Sequence, residues 1–193
     1  MTPTAKLQKI IGRMSVGVLV AGVMTGLASP AYAASNCTIS ADPVQHGRAV
    51  ALDDEERATL NLINAFRAQR RLPALVHTAR LSRPAAWASY DSARRGFSPS
   101  NHIDSLGRNV RTRLQQCDYT GYGHASEINY YGWGGHGSGA AAFAWWKNSP
   151  PHRAAMLDPR VTAIGIARAS ADKVHWTVNM GDKIHPQQID SRR

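Results

Sequence analysis

The sequence predicts an α+β domain, with helices layered on an antiparallel sheet, on three observations. Helical periodicity fills the earlier part of the chain, two stretches rich in Val, Ile, Thr and Trp fall near its end, and Pro150-Pro151 divides a helical segment in two. Helices early and strands late suit a single layered domain rather than an alternating parallel one.

The first 33 residues hold Lys6, Lys9 and Arg13, no acidic residue, an apolar run from Met14 to Ala28, and then Ala31-Tyr32-Ala33. That is the pattern of a secretory signal peptide over residues 1–33, because the apolar run is short for a spanning helix and Ala-Tyr-Ala is a cleavage signal. The mature chain is therefore expected to be secreted, extracellular or periplasmic, with no transmembrane segment after cleavage. Residues 34–52 lack periodicity and read as an N-terminal tail, 53–182 as one domain, and 183–193 as a C-terminal tail.

Asp53 opens the first helix as its cap, with Glu56 at the capping-box position. The helix is expected to run to about Arg71, before Leu72-Pro73. Ala58, Leu62, Ala65 and Phe66 have the spacing of a buried stripe, and Leu60, Asn64 and Arg67 share a second face. A second helix is expected from Ser82 to Arg95, with Pro84 in its first turn, Gly96 past its end, and Trp87 and Tyr90 in the core. A loop over 97–107 contains His102 and Asp104. A short arginine-rich helix, Arg108 to Gln115, then leads to Cys117.

Tyr119 to Gly139 holds seven glycines, so it reads as loop around a strand near Glu127 to Tyr131. A helix resumes at Ser138, carrying Ala142, Phe143 and Trp146 inward, and must end near Asn148 because Pro150 and Pro151 cannot continue it. Ser149 is the natural cap of the helix that follows, and this places His152 in its first turn. Partial positive charge at a helix start disfavours imidazolium, so His152 is expected to be neutral near pH 7. The paired tryptophans Trp145 and Trp146 read as core. Val161 to Arg168 and Lys173 to Met180 close the domain as paired strands joined by a turn at Ala169 to Asp172.

Charge and cysteines narrow the function classes. The chain has a formal net charge of +10, carried by 18 arginines and 5 lysines. Arginine suits phosphate and carboxylate groups, which allows an anionic envelope ligand as well as a merely solvated surface. No basic stripe is interleaved with aromatics, so nucleic acid is not expected as a partner. Cys37 and Cys117 are read as one disulfide in an exported chain, pinning the N-terminal tail to the body. Gly135-His136-Gly137-Ser138-Gly139 has the wrong register for a serine-hydrolase elbow.

Taken in order, Asn64-x-x-Arg67, His102, Glu127, Trp146-x-x-Ser149, His152-Arg153 and a hairpin with Gly165 and Trp176 resemble a bacterial CAP domain. That superfamily takes in cysteine-rich secretory proteins, antigen 5 and pathogenesis-related protein 1. The resemblance spans roughly residues 53–182 and is most specific over Ser149 to Pro159, Ser-Pro-Pro-His-Arg-Ala-Ala-Met-Leu-Asp-Pro. It implies an α-β-α sandwich whose central cleft gathers His102, His152 and Glu127. Two departures stand out: Glu127 is flanked by Ser126 and Ile128 where the family writes Gly-Glu-Asn, and the second glutamate that eukaryotic relatives place after the cleft tryptophan is replaced by Asn148 or Ser149.

Two neutral imidazoles and a carboxylate can hold Zn²⁺ in an open site, so His102, His152 and Glu127 are the expected metal residues, and a hydrogen-bonded network without metal is the competing reading. Asn64 and Arg67 are expected to tether neighbouring loops; Trp146, Ser149 and Arg153 complete the cleft wall. The expected function is a monomeric, non-catalytic extracellular binding module for a lipid-like or envelope ligand, with Tyr122, Tyr130, Tyr131 and Trp133 as a candidate rim. The alternative is a metal-dependent hydrolase or protease using His102, Glu127 and His152 as its catalytic set.

Overall fold

A computed structural model describes residues 52–185. The expected signal peptide, Cys37 and with it the expected disulfide to Cys117, nearly all of the N-terminal tail and residues 186–193 lie outside the described residues. Helix α1 (Asp54–Ala68) begins at the expected capping box. Asp53 accepts the Glu56 amide at 2.7 Å and Glu56 accepts the Asp53 amide at 3.0 Å. It stops short of Arg71, which takes a positive φ of 59° in the turn that follows.

The buried stripe of α1 is Glu56, Thr59, Leu60, Ile63, Phe66 and Arg67, which corrects the expected Ala58, Leu62, Ala65 and Phe66. Ala58 and Ala65 are exposed. The stripe was hard to see because three of its members are polar residues satisfied inside. Glu56 accepts the Arg168 amide, Thr59 donates to the Glu55 carbonyl, and Arg67 is bonded to carbonyls.

Strand β1 (Val76–His77) leads into α2 (Ala79–Arg95), which ends at a left-handed Gly96. Helix α2 opens ahead of Ser82, so Pro84 lies in its second turn rather than its first. Trp87 is buried as expected, but Tyr90 is only half-buried. Next come α3 (Val110–Gln116), β2 (Ala125–Gly132), a 3-10 turn (Gly134–Gly137), α4 (Gly139–Asn148), α5 (Pro150–Met156), β3 (Ala163–Ser170) and β4 (Val174–Gly181). No helix among the described residues is long and apolar enough to cross a membrane.

The sheet order is β1-β3-β4-β2. Strand β4 pairs antiparallel with β2 and β3, as expected of the sheet, and the two-residue β1 adds a short parallel pairing with β3. Alternation along β3 and β4 separates two faces. Ile164, Ile166, Trp176, Val178 and Met180 pack with α1, α4 and α5 residues such as Ile63, Phe66, Trp146 and Met156. On the other face Ala163, Gly165 and Ala167 are small, and α2 lies close enough for Ser89 to donate to the Ala167 carbonyl at 3.0 Å. The result is an α-β-α sandwich.

Two buried groups give this fold opposed pH responses. Burial, helped by the Asp53 charge, pushes Glu56 up to about 7. Burial, helped by Lys173, pushes His175 down to about 4. Below about pH 7 the folded state holds a Glu56 proton that the unfolded chain releases, so this group's contribution to stability falls as pH rises from about 4.5 to 7. For His175 the unfolded chain holds the extra proton, so its contribution rises with pH between about 4 and 6.5. Each slope is about 1.4 kcal/mol per pH unit and the two nearly cancel. Relative to wild type, Glu56→Gln should therefore gain stability with rising pH and His175→Gln should lose it. Urea unfolding at pH 4.5, 5.5 and 6.5 tests this, and pH-independent differences would show that neither group is displaced.

Candidate functional site

The cleft forms where the 97–107 loop, β2 and α5 meet. Two carboxylates lock the loop. Asp104 accepts the Leu106 and Arg108 amides, the Trp87 indole at 2.9 Å and Arg108 Nε at 2.8 Å. Burial alone would raise its pKa; these hydrogen bonds and the Arg108 charge outweigh burial and hold it low. Asp91 accepts the Ser105 amide and hydroxyl. Held this way, His102 adopts a left-handed φ of 58°, a conformation that histidine tolerates better than most residues but still at a cost of about 1–2 kcal/mol.

His102 Nδ1 lies 2.9 Å from Glu127 Oε1. Arg113 Nη2 donates to both Glu127 oxygens, at 2.7 and 2.8 Å, and Arg113 Nη1 donates to the His102 carbonyl at 2.9 Å. Both Glu127 oxygens act as acceptors toward the guanidinium, so in the contact with Glu127 the His102 Nδ1–H is the donor. The Glu127 and Arg113 side chains are both nearly fully buried. In the sequence Arg113 stands out only as one of a basic pair with Arg111 in the arginine-rich helix, which a solvated face explains equally well.

Across the cleft, His152 Nδ1 lies 2.7 Å from Ser149 Oγ. This corrects the expected role of Ser149: it marks the start of α5, but its hydroxyl makes no cap bond to a backbone amide. Pro151 removes one amide a cap would reach, and the hydroxyl turns to the imidazole instead. His152 is held below its ordinary pKa, first by burial and second by the nearby His102. The direction agrees with the neutral histidine expected, while the leading cause is burial rather than the helix terminus. Nδ1 is thus engaged in both rings, which leaves Nε2 of each for a ligand.

His102, Glu127 and His152 all line one cavity of about 720 Å³. Among the described residues, no group of three or more His, Cys, Asp or Glu is arranged to hold a metal ion. Glu127 is turned to Arg113 and His102, so the imidazoles of His102, His136 and His152 are what the cleft offers.

The remaining expected residues separate into supports and outliers. Asn64 makes a strand-like pair with Leu75, donating at 3.2 Å and accepting at 2.8 Å. Arg67, fully buried, donates to the carbonyls of Pro73, Met156, Asp158 and Val161, and so fixes the end of α5. Trp146 is fully buried and its indole donates to the Asn129 carbonyl at 3.0 Å, which ties α4 to β2. Arg153 is exposed and donates to the Lys147 carbonyl, so it is not part of the cleft wall. Trp145 is 47% exposed and lines the cavity, which corrects its reading as core. Consecutive helix residues point about 100° apart, and that spacing could have separated the two tryptophans from sequence alone. Of the expected rim, Tyr130, Tyr131 and Trp133 line the cavity, whereas Tyr122 stacks on buried Tyr119 away from it.

Residues 60–180, more than half of the chain, match the family described as CAP, the cysteine-rich secretory protein family. Among solved structures, the chain is similar to an extracellular protein containing an SCP domain from Bacillus anthracis, at 27% identity and a TM-score of 0.57 over 67% of this chain. An outer surface protein from Borrelia burgdorferi shares the fold at 18% identity and a TM-score of 0.61, covering 72% of this chain and 99% of its own. A cysteine-rich secretory protein from Staphylococcus aureus does so at 17% identity and a TM-score of 0.54 over 67% of this chain. The chain spans only 40% of the Bacillus protein and 38% of the Staphylococcus protein. No curated protein matches it.

Proposed function

The chain belongs to the cysteine-rich secretory protein family, CAP, and from that premise we propose that it is a secreted or cell-envelope binding module whose central cleft takes its ligand without catalysis. The observation that carries this reading is the matched state of two of the cleft histidines. Each has Nδ1 engaged, His102 by Glu127 and His152 by Ser149, which leaves Nε2 as the ring nitrogen for a ligand, and both residues line the same cavity. A divalent metal such as Zn²⁺ would be held by these two nitrogens, with Glu127 orienting His102 from behind. Bound there, it would supply a Lewis acid that polarises a ligand oxygen. Two protein ligands make a weak, open site.

The pairing of Glu127 with Arg113 weighs against the metal-dependent hydrolase. A general base needs a carboxylate poised toward a water in the cleft, and both oxygens of this one already accept from a guanidinium. Two of the similar structures are named as an extracellular protein and an outer surface protein, which supports export of this chain. The signal peptide over 1–33, the Cys37–Cys117 disulfide, a monomeric state and a lipid-like or anionic envelope ligand belong to the same proposal.

Calorimetry of the mature protein with ZnCl₂ tests the site. Wild type should bind one ion weakly, and a His102→Ala/His152→Ala double variant should not bind. Equal binding by both would reject the histidine site, and chelator-sensitive turnover of peptides or esters, lost in Glu127→Gln, would favour the hydrolase.

A further inference from the structure

The cleft carries two tryptophans that the fold does not use. Trp133 is 61% exposed, and its side chain makes no ring contact or hydrogen bond among the described residues. Tryptophan is usually well buried, so an idle indole on a cavity wall marks a surface kept for something else. Trp145 has one side against Tyr130 and His152, at ring centroid distances of 5.7 and 4.7 Å, yet is 47% exposed. Neither indole N–H has a partner among the described residues. Tyr131 differs, because its ring is already taken by His175 at 5.5 Å and by the Lys173 ammonium at 4.8 Å.

The rest of the lining decides what such platforms could hold. The same cavity is lined by Ser98, Ser100, Asn129 and the imidazoles of His102, His136 and His152, while Ile128 and Ala155 are the aliphatic side chains apart from prolines. The apolar part of this lining is mostly aromatic planes rather than aliphatic side chains, which favours a ligand with flat faces over a flexible acyl chain. A pyranose ring has a flat C–H face bordered by hydroxyls, and needs an aromatic plane with polar groups beside it. β-Linked sugars with equatorial substituents present such faces along the chain, and an acetamido group adds a methyl and an amide suited to the same mixed lining.

We propose that this cleft binds a β-linked N-acetylated glycan by stacking it on Trp133 and Trp145, an inference that rests on the binding-module reading above. Glu127 is the one carboxylate in the lining, and it is held by Arg113. Both oxygens of that carboxylate accept from the Arg113 guanidinium, so it is not poised to protonate a leaving group, and the glycan is bound and not cleaved.

Titration of the mature protein with β-1,4-linked N-acetylglucosamine hexamer, followed by tryptophan fluorescence and calorimetry, tests this. Saturable binding weakened about tenfold by Trp133→Ala and again by Trp145→Ala is expected, with the hexamer recovered at full length. Trp133 is too exposed for its loss to unfold the domain, and an unchanged melting temperature verifies this. Absence of saturable binding, or binding unchanged in both variants, would overturn the glycan site. Saturable binding of phosphatidylglycerol vesicles lost in Trp133→Ala, with no response to the hexamer, would overturn it in favour of lipid. Zn²⁺ binding that depends on His102 and His152 is read separately in each variant, so the glycan can fail while the cleft reading survives.

Discussion

Gly165→Ala is expected to abolish folding of the domain. A Cβ at this position on β3 would lie 2.5 Å from the Leu81 carbonyl oxygen and closer still to the Leu81 carbonyl carbon and the Ser82 amide nitrogen. All three are backbone atoms of α2, so no side-chain rotation relieves the clash. The helix cannot simply lift, because Asn179 and Ser89 fasten it to the sheet and Ser82 accepts the Ile166 amide at 3.2 Å. Overpacking a core by one methylene usually costs about 1–3 kcal/mol, and a rigid backbone contact belongs to the exceptional class above about 4–5 kcal/mol. That is comparable to the whole stability of a domain this size, about 5–15 kcal/mol. Gly135→Ala is the control: a Cβ there meets nothing within 4 Å, so the change should be close to neutral. Soluble yield and circular dichroism of the two variants decide the matter, and a well-folded Gly165→Ala protein would show that α2 does not pack on β3 as described.

Arg113→Met should be the most damaging change at the cleft. It removes the guanidinium that touches both oxygens of Glu127 and the carbonyls of His102 and Arg108, in a place where both side chains are almost fully enclosed. Removing one partner of a buried pair typically costs about 3–5 kcal/mol, because the other charge stays behind uncompensated. The damage should reach function too: the His102 backbone, already at positive φ, loses the donor on its carbonyl, so Zn²⁺ binding should weaken with stability. Adding Glu127→Gln removes the stranded charge and should recover a large part of the lost stability, but not the orientation of His102. Urea midpoints and zinc calorimetry on the two single variants and the double variant form the cycle. If the double variant is no more stable than Arg113→Met, the pair is not the element that holds the loop to β2.

How much of the site was legible follows from the range over which each signal acts. Ser149-Pro150-Pro151 fixed the break between α4 and α5 and put His152 in the first turn, because proline's missing donor and fixed φ act on the residues beside it. Asp53 and Glu56 formed their capping box for the same reason. The stripe of α1 escapes a reading by periodicity, which assumes that buried residues are apolar: Glu56 and Arg67 are buried with their polar groups paired to distant backbone, and Thr59 with its hydroxyl on the Glu55 carbonyl one turn back. Placing His102, Glu127 and His152 together needed the family resemblance, since no local spacing joins them.

By itself, then, the sequence determined the elements: the capping box of α1, the proline break between α4 and α5, the paired late strands, and the kinds of side chain available to a cleft. Tertiary structure alone decided which partners those side chains met. It placed Arg113 on Glu127, turned Ser149 from a helix cap into the partner of His152, buried Trp146 while leaving Trp145 on the cavity wall, and sent Tyr122 to the core beside Tyr119. The physical reason is that a charge or a ring is neutral information in a sequence. Its role depends on desolvation and on the group across from it, and both are set only when α5, β2 and the 97–107 loop close on one another.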